Sequence, residues 1–90
     1  MATIKIPTPL RATTADLDTV QGNGKDLISV INDLENQFPG MRERLLDENN
    51  EIRRFVNIFI NGEDVRFLEG LSTTIATSDE ISIVPAVAGG

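Results

Sequence analysis

Apolar and polar residues alternate along this chain with two different periods, and the changes of period mark its elements. Ile4 and Ile6 point one way and Thr3 and Lys5 the other, so residues 2–7 read as a half-buried strand that ends at Pro7 and Pro9. Residues 11–16 are polar and read as a turn, and residues 18–21 as a second strand antiparallel to the first. Gly22-Asn23-Gly24 breaks that strand and opens a helix. Leu27, Ile31, Leu34 and Phe38 then recur at helical spacing and form one apolar stripe. Asp26 falls in the first turn, where an anion complements the helix dipole, and Pro39-Gly40 stops the helix. Residues 40–46 add a short helical turn, and residues 47–51 form a polar loop.

The second half returns to a period of two. Residues 54–61 form the clearest strand, with Val56, Ile58 and Ile60 on one face and Phe55, Asn57, Phe59 and Asn61 on the other. Asn61-Gly62 is a tight-turn signal. Residues 65–68 read as a short strand or bridge, and residues 70–77 as a connection that turns Leu71 and Ile75 inward. Residues 80–85 form the last strand, with Ile81 and Ile83 inward and Ser82 and Val84 outward. Pro85 has no N–H for a ladder, so regular pairing is expected to weaken there. The resulting order is strand, strand, helix, strand, short strand, strand. It predicts an α+β fold of the β-grasp, or ubiquitin-like, kind: a mixed sheet of four or five strands packed on one main helix. Residues 1–85 are expected to form the domain and residues 86–90 a flexible tail.

Composition narrows the function. Ninety residues make one small core and no deep cleft. Fourteen acidic and eight basic residues give a formal charge of −6, which argues against a binder of nucleic-acid phosphates. The chain has no Cys, His, Tyr or Trp. A thiol nucleophile, a thiolate metal site and the commonest general base are thereby excluded. A purely carboxylate catalyst needs a substrate groove that a domain this small does not form, so the expectation is a protein acted upon rather than an enzyme. No apolar run is long enough to span a bilayer and no signal-peptide core is present, so the expected compartment is the cytoplasm, with no membrane and no nucleic-acid partner.

Three charged motifs fail as sites. Gly22-Asn23-Gly24-Lys25 lacks a phosphate-loop pattern, because Thr19 stands in place of the first glycine and Asp26 in place of the hydroxyl residue. Asp47-Glu48 and Glu63-Asp64 lack the spaced ligands of a calcium loop and read as solvated turns. Outside those three motifs, Arg53, Arg54 and Arg66 read either as partners for acids on another protein or as side chains whose stems cover apolar surface, with the second reading leading.

Two features carry function. Phe59 and Val84 are expected on the outer face of the sheet as a small apolar patch for a partner. The other is the ending Pro85-Ala86-Val87-Ala88-Gly89-Gly90. Glycines without side chains pass through a channel too narrow for other residues, and they present a bare carboxylate. Chance places two glycines there in roughly one chain in two hundred. The expectation is a carboxylate that another protein modifies.

From Ile4 to Gly90 the chain resembles the ubiquitin-like sulfur carriers, which include the thiamine-pathway carrier, the small subunit of molybdopterin synthase and the carrier of cysteine biosynthesis. The resemblance rests on Phe38-Pro39-Gly40-Met41-Arg42-Glu43-Arg44-Leu45, on Arg54-Phe55-Val56-Asn57-Ile58-Phe59-Ile60-Asn61-Gly62-Glu63-Asp64-Val65-Arg66-Phe67, and on Ile83-Val84-Pro85-Ala86-Val87-Ala88-Gly89-Gly90. The middle stretch and the ending together look most like the cysteine-biosynthesis branch. The resemblance implies that an E1-like partner uses ATP to adenylate the Gly90 carboxylate, and that a sulfur donor then displaces AMP to leave a thiocarboxylate. Gly89 supplies passage through the partner's channel, and Ala88, Val87 and Ala86 supply reach. A synthase bearing pyridoxal phosphate would accept the sulfur, and a zinc metalloprotease would release the cysteine formed. No cofactor or metal is expected on this chain itself. The same resemblance admits a molybdopterin synthase subunit or a ubiquitin-like protein modifier, and an inert interaction module stands outside it.

Overall fold

The computed structural model describes residues 1–85. Five strands form one mixed sheet: β1 (Ala2–Lys5), β2 (Thr19–Gly22), β3 (Val56–Ile60), β4 (Glu63–Asp64) and β5 (Glu80–Pro85), in the order β2-β1-β5-β3-β4. β1 pairs antiparallel with β2 and parallel with β5, and β3 pairs antiparallel with β5 and β4. The last strand of the chain therefore occupies the middle of the sheet. One helix, α1 (Leu27–Gln37), packs on one face, followed by the single-turn α2 (Met41–Leu45). This is the β-grasp arrangement.

The core lies between that face and the helices. Ile4, Ile58, Ile81 and Ile83 from the sheet meet Leu27, Val30, Ile31 and Leu34 from α1 and Met41 and Leu45 from α2. Burying a side chain of this size contributes about 1.5–3 kcal/mol relative to leaving it exposed. Asp26 is the residue before the helix and not part of its first turn: its carboxylate accepts from the Ser29 N–H at 3.0 Å and caps α1. The break after β2 is a close approach of strand and helix. A Cβ on Gly22 would stand 2.9 Å from Ile4 Cδ1 and 3.0 Å from Val30 Cγ1. At the other end of α1 the chain reverses through Gly40, whose φ is +100°.

Residues 65–68 are not a strand. The short strand is Glu63–Asp64, reached through an Asn61-Gly62 turn with both φ values positive, +51° and +90°. Val65–Phe67 instead forms a 3₁₀ turn capped by Asp64, whose carboxylate accepts from the Arg66 N–H at 2.9 Å. The connection that follows turns Ile75 inward and half-buries Leu71, as the pattern predicts. It is stitched to the start of α1 by the Leu27 N–H donating to the Thr73 carbonyl and the Ile75 N–H to the Lys25 carbonyl. No helix among the described residues is long and apolar enough to cross a membrane.

Candidate functional site at the end of the fifth strand

β5 is held on both sides at its start and on one side at its end. Its pairing with β1 runs from Thr3–Glu80 to Lys5–Ser82 and stops. Its pairing with β3 continues through Ile58–Ile83 and Asn57–Val84 to Val56–Pro85. Pro85 keeps a place in the ladder opposite Val56, so the weakening expected at the proline is not seen there; the pairing with β1 ends three residues earlier, at Ser82. Ile81 and Ile83 are buried and anchor the strand in the core, while Val84 is 43% exposed. The chain thus leaves the sheet beside the start of β3.

The registers define the outer face, away from α1. One rung runs across all five strands through Thr19, Lys5, Ser82, Phe59 and Asp64. The next toward the chain exit carries Asn57 and Val84. Phe59 and Val84 are therefore diagonal neighbours on one face, within reach of each other's side chains. Phe59 is half-buried, however, and not the exposed ring that alternation predicts. Ala86, Val87, Ala88, Gly89 and Gly90 lie outside the described residues, so the structure gives no geometry for the tail.

Two exposed rings were not singled out from sequence. Phe55 is 54% exposed and precedes the first ladder residue of β3, where the Arg54 guanidinium carbon stands 5.9 Å from its ring centroid. Phe67 is 86% exposed, and Leu68 beside it is 39% exposed. The strand expected from residue 54 begins only at Val56: Arg54 and Phe55 lie in a turn closed by the Val56 N–H donating to the Arg53 carbonyl at 3.0 Å, so alternation does not place the Phe55 ring. Nor does it place Phe67, because its 3₁₀ turn mimics a strand pattern. Arg66 ties the two regions together: its guanidinium donates to Asn57 Oδ1 at 2.9 Å and to the Arg53 and Val56 carbonyls at 3.2 and 2.8 Å. Arg53 in turn donates through Nε to the Glu43 carbonyl at 2.7 Å.

The perturbed carboxylates lie elsewhere and act as structural caps. The Arg42 and Gly40 N–H groups, with the Arg42 charge, hold the Glu35 carboxyl below its ordinary range. The Ser29 hydroxyl and N–H do the same for Asp26. An open depression of about 510 Å³ beside α2 has a mixed lining that includes Glu35, Asp47, Glu48, Arg42 and Arg53. Among the described residues no three His, Cys, Asp or Glu side chains converge to hold a metal ion.

The mixed five-strand sheet packed on one main helix places the chain among the β-grasp, ubiquitin-like proteins. Within that class the sequence profile of the ThiS family matches residues 4–90, and the chain belongs to this family. The sulfur carrier protein CysO of Mycobacterium tuberculosis is 49% identical over 90 residues, covering 98% of this chain and 97% of that one. The crystal structure of the Amycolatopsis orientalis BexX/CysO complex contains a chain that superposes with a TM-score of 0.94 at 39% identity, with full coverage of both chains. The small archaeal modifier protein 1 of Methanosarcina acetivorans superposes with a TM-score of 0.84 at 30% identity, covering 99% of this chain and 95% of that one. The family resemblance read from the sequence is thereby borne out. The matching CysO proteins bear the names of carriers, not of catalysts.

Proposed function

We propose that this protein is a sulfur carrier for cysteine biosynthesis whose Gly90 carboxylate is adenylated and then converted to a thiocarboxylate. The observation that carries this reading is the 49% identity to the CysO sulfur carrier over nearly the whole chain, with a family match that runs to residue 90. The chemistry is consistent with the residues present. A carboxylate is a poor electrophile, and a mixed anhydride with AMP makes its carbon attackable. Sulfur then replaces AMP and gives a softer nucleophile than the carboxylate oxygen. The chain contains no Cys, so no internal thiol competes for the activated carbon. ATP, pyridoxal phosphate and zinc belong in this scheme to an E1-like enzyme, a synthase and a metalloprotease. Phe59 and Val84 form part of the surface offered to them.

The test is intact-mass measurement after incubation with ATP and sulfide in a lysate of the host. A mass gain equal to exchange of one oxygen for sulfur, localised to the C-terminal peptide, is expected. A later gain equal to one cysteine residue would assign the pathway, whereas an unchanged mass would overturn the reading. A second reading, a ubiquitin-like modifier, is favoured by the likeness to the Methanosarcina modifier protein. It predicts higher-mass conjugates in place of the sulfur exchange.

A further inference from the structure

Polarity along the outer face changes in one direction. The end of the sheet farthest from the chain exit is polar and acidic, with Thr3, Gln21 and Glu80 in one rung and Asn61 beyond the end of β3. The middle rung holds Lys5, Ser82 and Phe59. The exit end carries Val84, with Arg66 bonded to Asn57 beside it, and Arg54 and Phe55 stand there on the turn that leads into β3. Of the four phenylalanines, all among the described residues, none is fully buried, and Phe55 is 54% exposed at this end. A ring and a valine left in water beside fixed guanidinium groups are apolar area and positive charge held ready for a second surface.

We propose that the Arg54–Phe55 pair, with Val84 and Arg66, is the docking foot that seats this carrier on the mouth of its activating enzyme. This rests on the carrier reading above. The occupant follows from charge. A carrier of formal charge −6, ending in a carboxylate, must approach a site loaded with anionic ATP, and that encounter is repulsive overall. Arg54 and Arg66, near the end of β5, offset part of that repulsion at the point of entry, even with Asp64 and Glu51 close to Arg66, and favour a tail-first approach. An apolar mouth rimmed by carboxylates would accept Phe55 and Val84 in its centre and the guanidiniums at its edge.

Reach separates docking from chemistry. The five residues after Pro85 span at most about 17 Å. A tail extended into a channel carries its carboxylate up to that distance from Pro85, whose ladder partner Val56 follows Phe55 in the chain. The foot is therefore a positioning element that acts on binding and not on the turnover of bound carrier.

The experiment measures the initial rate of sulfur incorporation by intact mass, in host lysate with ATP and sulfide, across carrier concentrations. Phe55→Ser and Arg54→Glu are compared with wild type after thermal melts establish that all are folded. Each variant is expected to raise the half-saturating concentration about tenfold while leaving the plateau rate within about twofold, with Arg54→Lys close to wild type. Unchanged half-saturation in both variants would overturn the inference while leaving the carrier reading intact. Normal sulfur loading followed by slow transfer to the acceptor would also overturn it, because the foot would then belong to the acceptor enzyme. Absence of sulfur on wild type would defeat the carrier reading itself, and this inference with it.

Discussion

Val56 of β3 and Pro85 of β5 face each other as the last of five antiparallel pairs among the described residues. Two rungs earlier Ile58 faces Ile83, and both are buried. Whatever is attached beyond Pro85 is thus tied, within three residues, to the middle of the core. That rigid root fixes the position of Pro85 against the start of β3. It also makes β5 a strand whose inward and outward residues differ sharply in cost.

Ile83→Ala is expected to destabilise the domain by about 2–5 kcal/mol, because the deleted methyls leave a cavity against Ile58. Val84→Ala, one residue along on the exposed face, is expected to stay within about 0.5 kcal/mol of wild type. In thermal melts the first change should lower Tm by at least about 8 °C for a domain of this size. Similar shifts for the two variants would show that β5 is not anchored as described.

The glycines between β2 and α1 differ in a measurable way. A Cβ on Gly22 meets the ends of two core side chains, Ile4 and Val30, which can yield slightly. A Cβ on Gly24 would stand 2.6 Å from the Val30 backbone nitrogen and 2.8 Å from the Ser29 carbonyl carbon, so the helix start itself must move. Gly22→Ala should cost about 1–3 kcal/mol, and Gly24→Ala more. Urea unfolding of the two variants gives the order directly, and the reverse order would contradict the packing at this turn.

Much of this architecture is visible in the alternation of Val56, Ile58 and Ile60, the stripe of Leu27, Ile31 and Leu34, and the Asn61-Gly62 turn. Those signals survive because each extends over several residues or sets a demanding backbone conformation. Glu63–Asp64 is too short for any period to register. Val65 and Phe67 imitate strand alternation, although Asp64 caps a 3₁₀ turn there. Alternation assigned Phe59 to a face correctly but not its exposure, because exposure depends on what neighbouring strands and side chains cover. For the same reason sequence favoured Phe59 as the contact residue, while the more open ring at the chain exit is Phe55.

Asp26 and Glu35 give the fold an acid-sensitive component. Both carboxyls are held below their ordinary values of 3.8 and 4.5, Asp26 first by the Ser29 hydroxyl and Glu35 first by the Arg42 N–H. The folded state thus binds fewer protons than the unfolded state as pH falls below those values. Their stabilisation is present in full at neutral pH and is lost on acidification through the lowered folded values. Glu35→Gln should therefore cost stability at pH 7 and progressively less below about pH 4.5. Denaturant titrations at several pH values read this, and a constant difference down to pH 3 would exclude the cap as its source.

Phe59 lies opposite Asp64 across the β3–β4 pair. Replacement by Asp sets two carboxylates directly opposite, whereas Asn removes the ring without adding charge. Phe59→Asp should be less stable than Phe59→Asn by about 0.5 kcal/mol at neutral pH and low salt, and the gap should shrink at high salt. Equal stability of the two variants would show that the side chain at 59 does not sense Asp64.

Gly89→Phe and deletion of Gly90 both lie outside the described residues, and every described ladder pair and core side chain is left unchanged by them. Melting temperatures of both variants are expected to match wild type. Sulfur incorporation is expected to vanish in each for a different reason. Deletion moves the carboxylate short of the reacting position and ends the chain in a single glycine. The phenyl ring at 89 blocks a channel sized for bare backbone, so Gly89→Ala should retain partial incorporation where Gly89→Phe retains none. Excess ATP and sulfide should rescue neither, because the defect lies in reach or passage. Measurable thiocarboxylate on either Gly89→Phe or the deletion variant would overturn the assignment of the reacting group to Gly90 and of the passage role to Gly89.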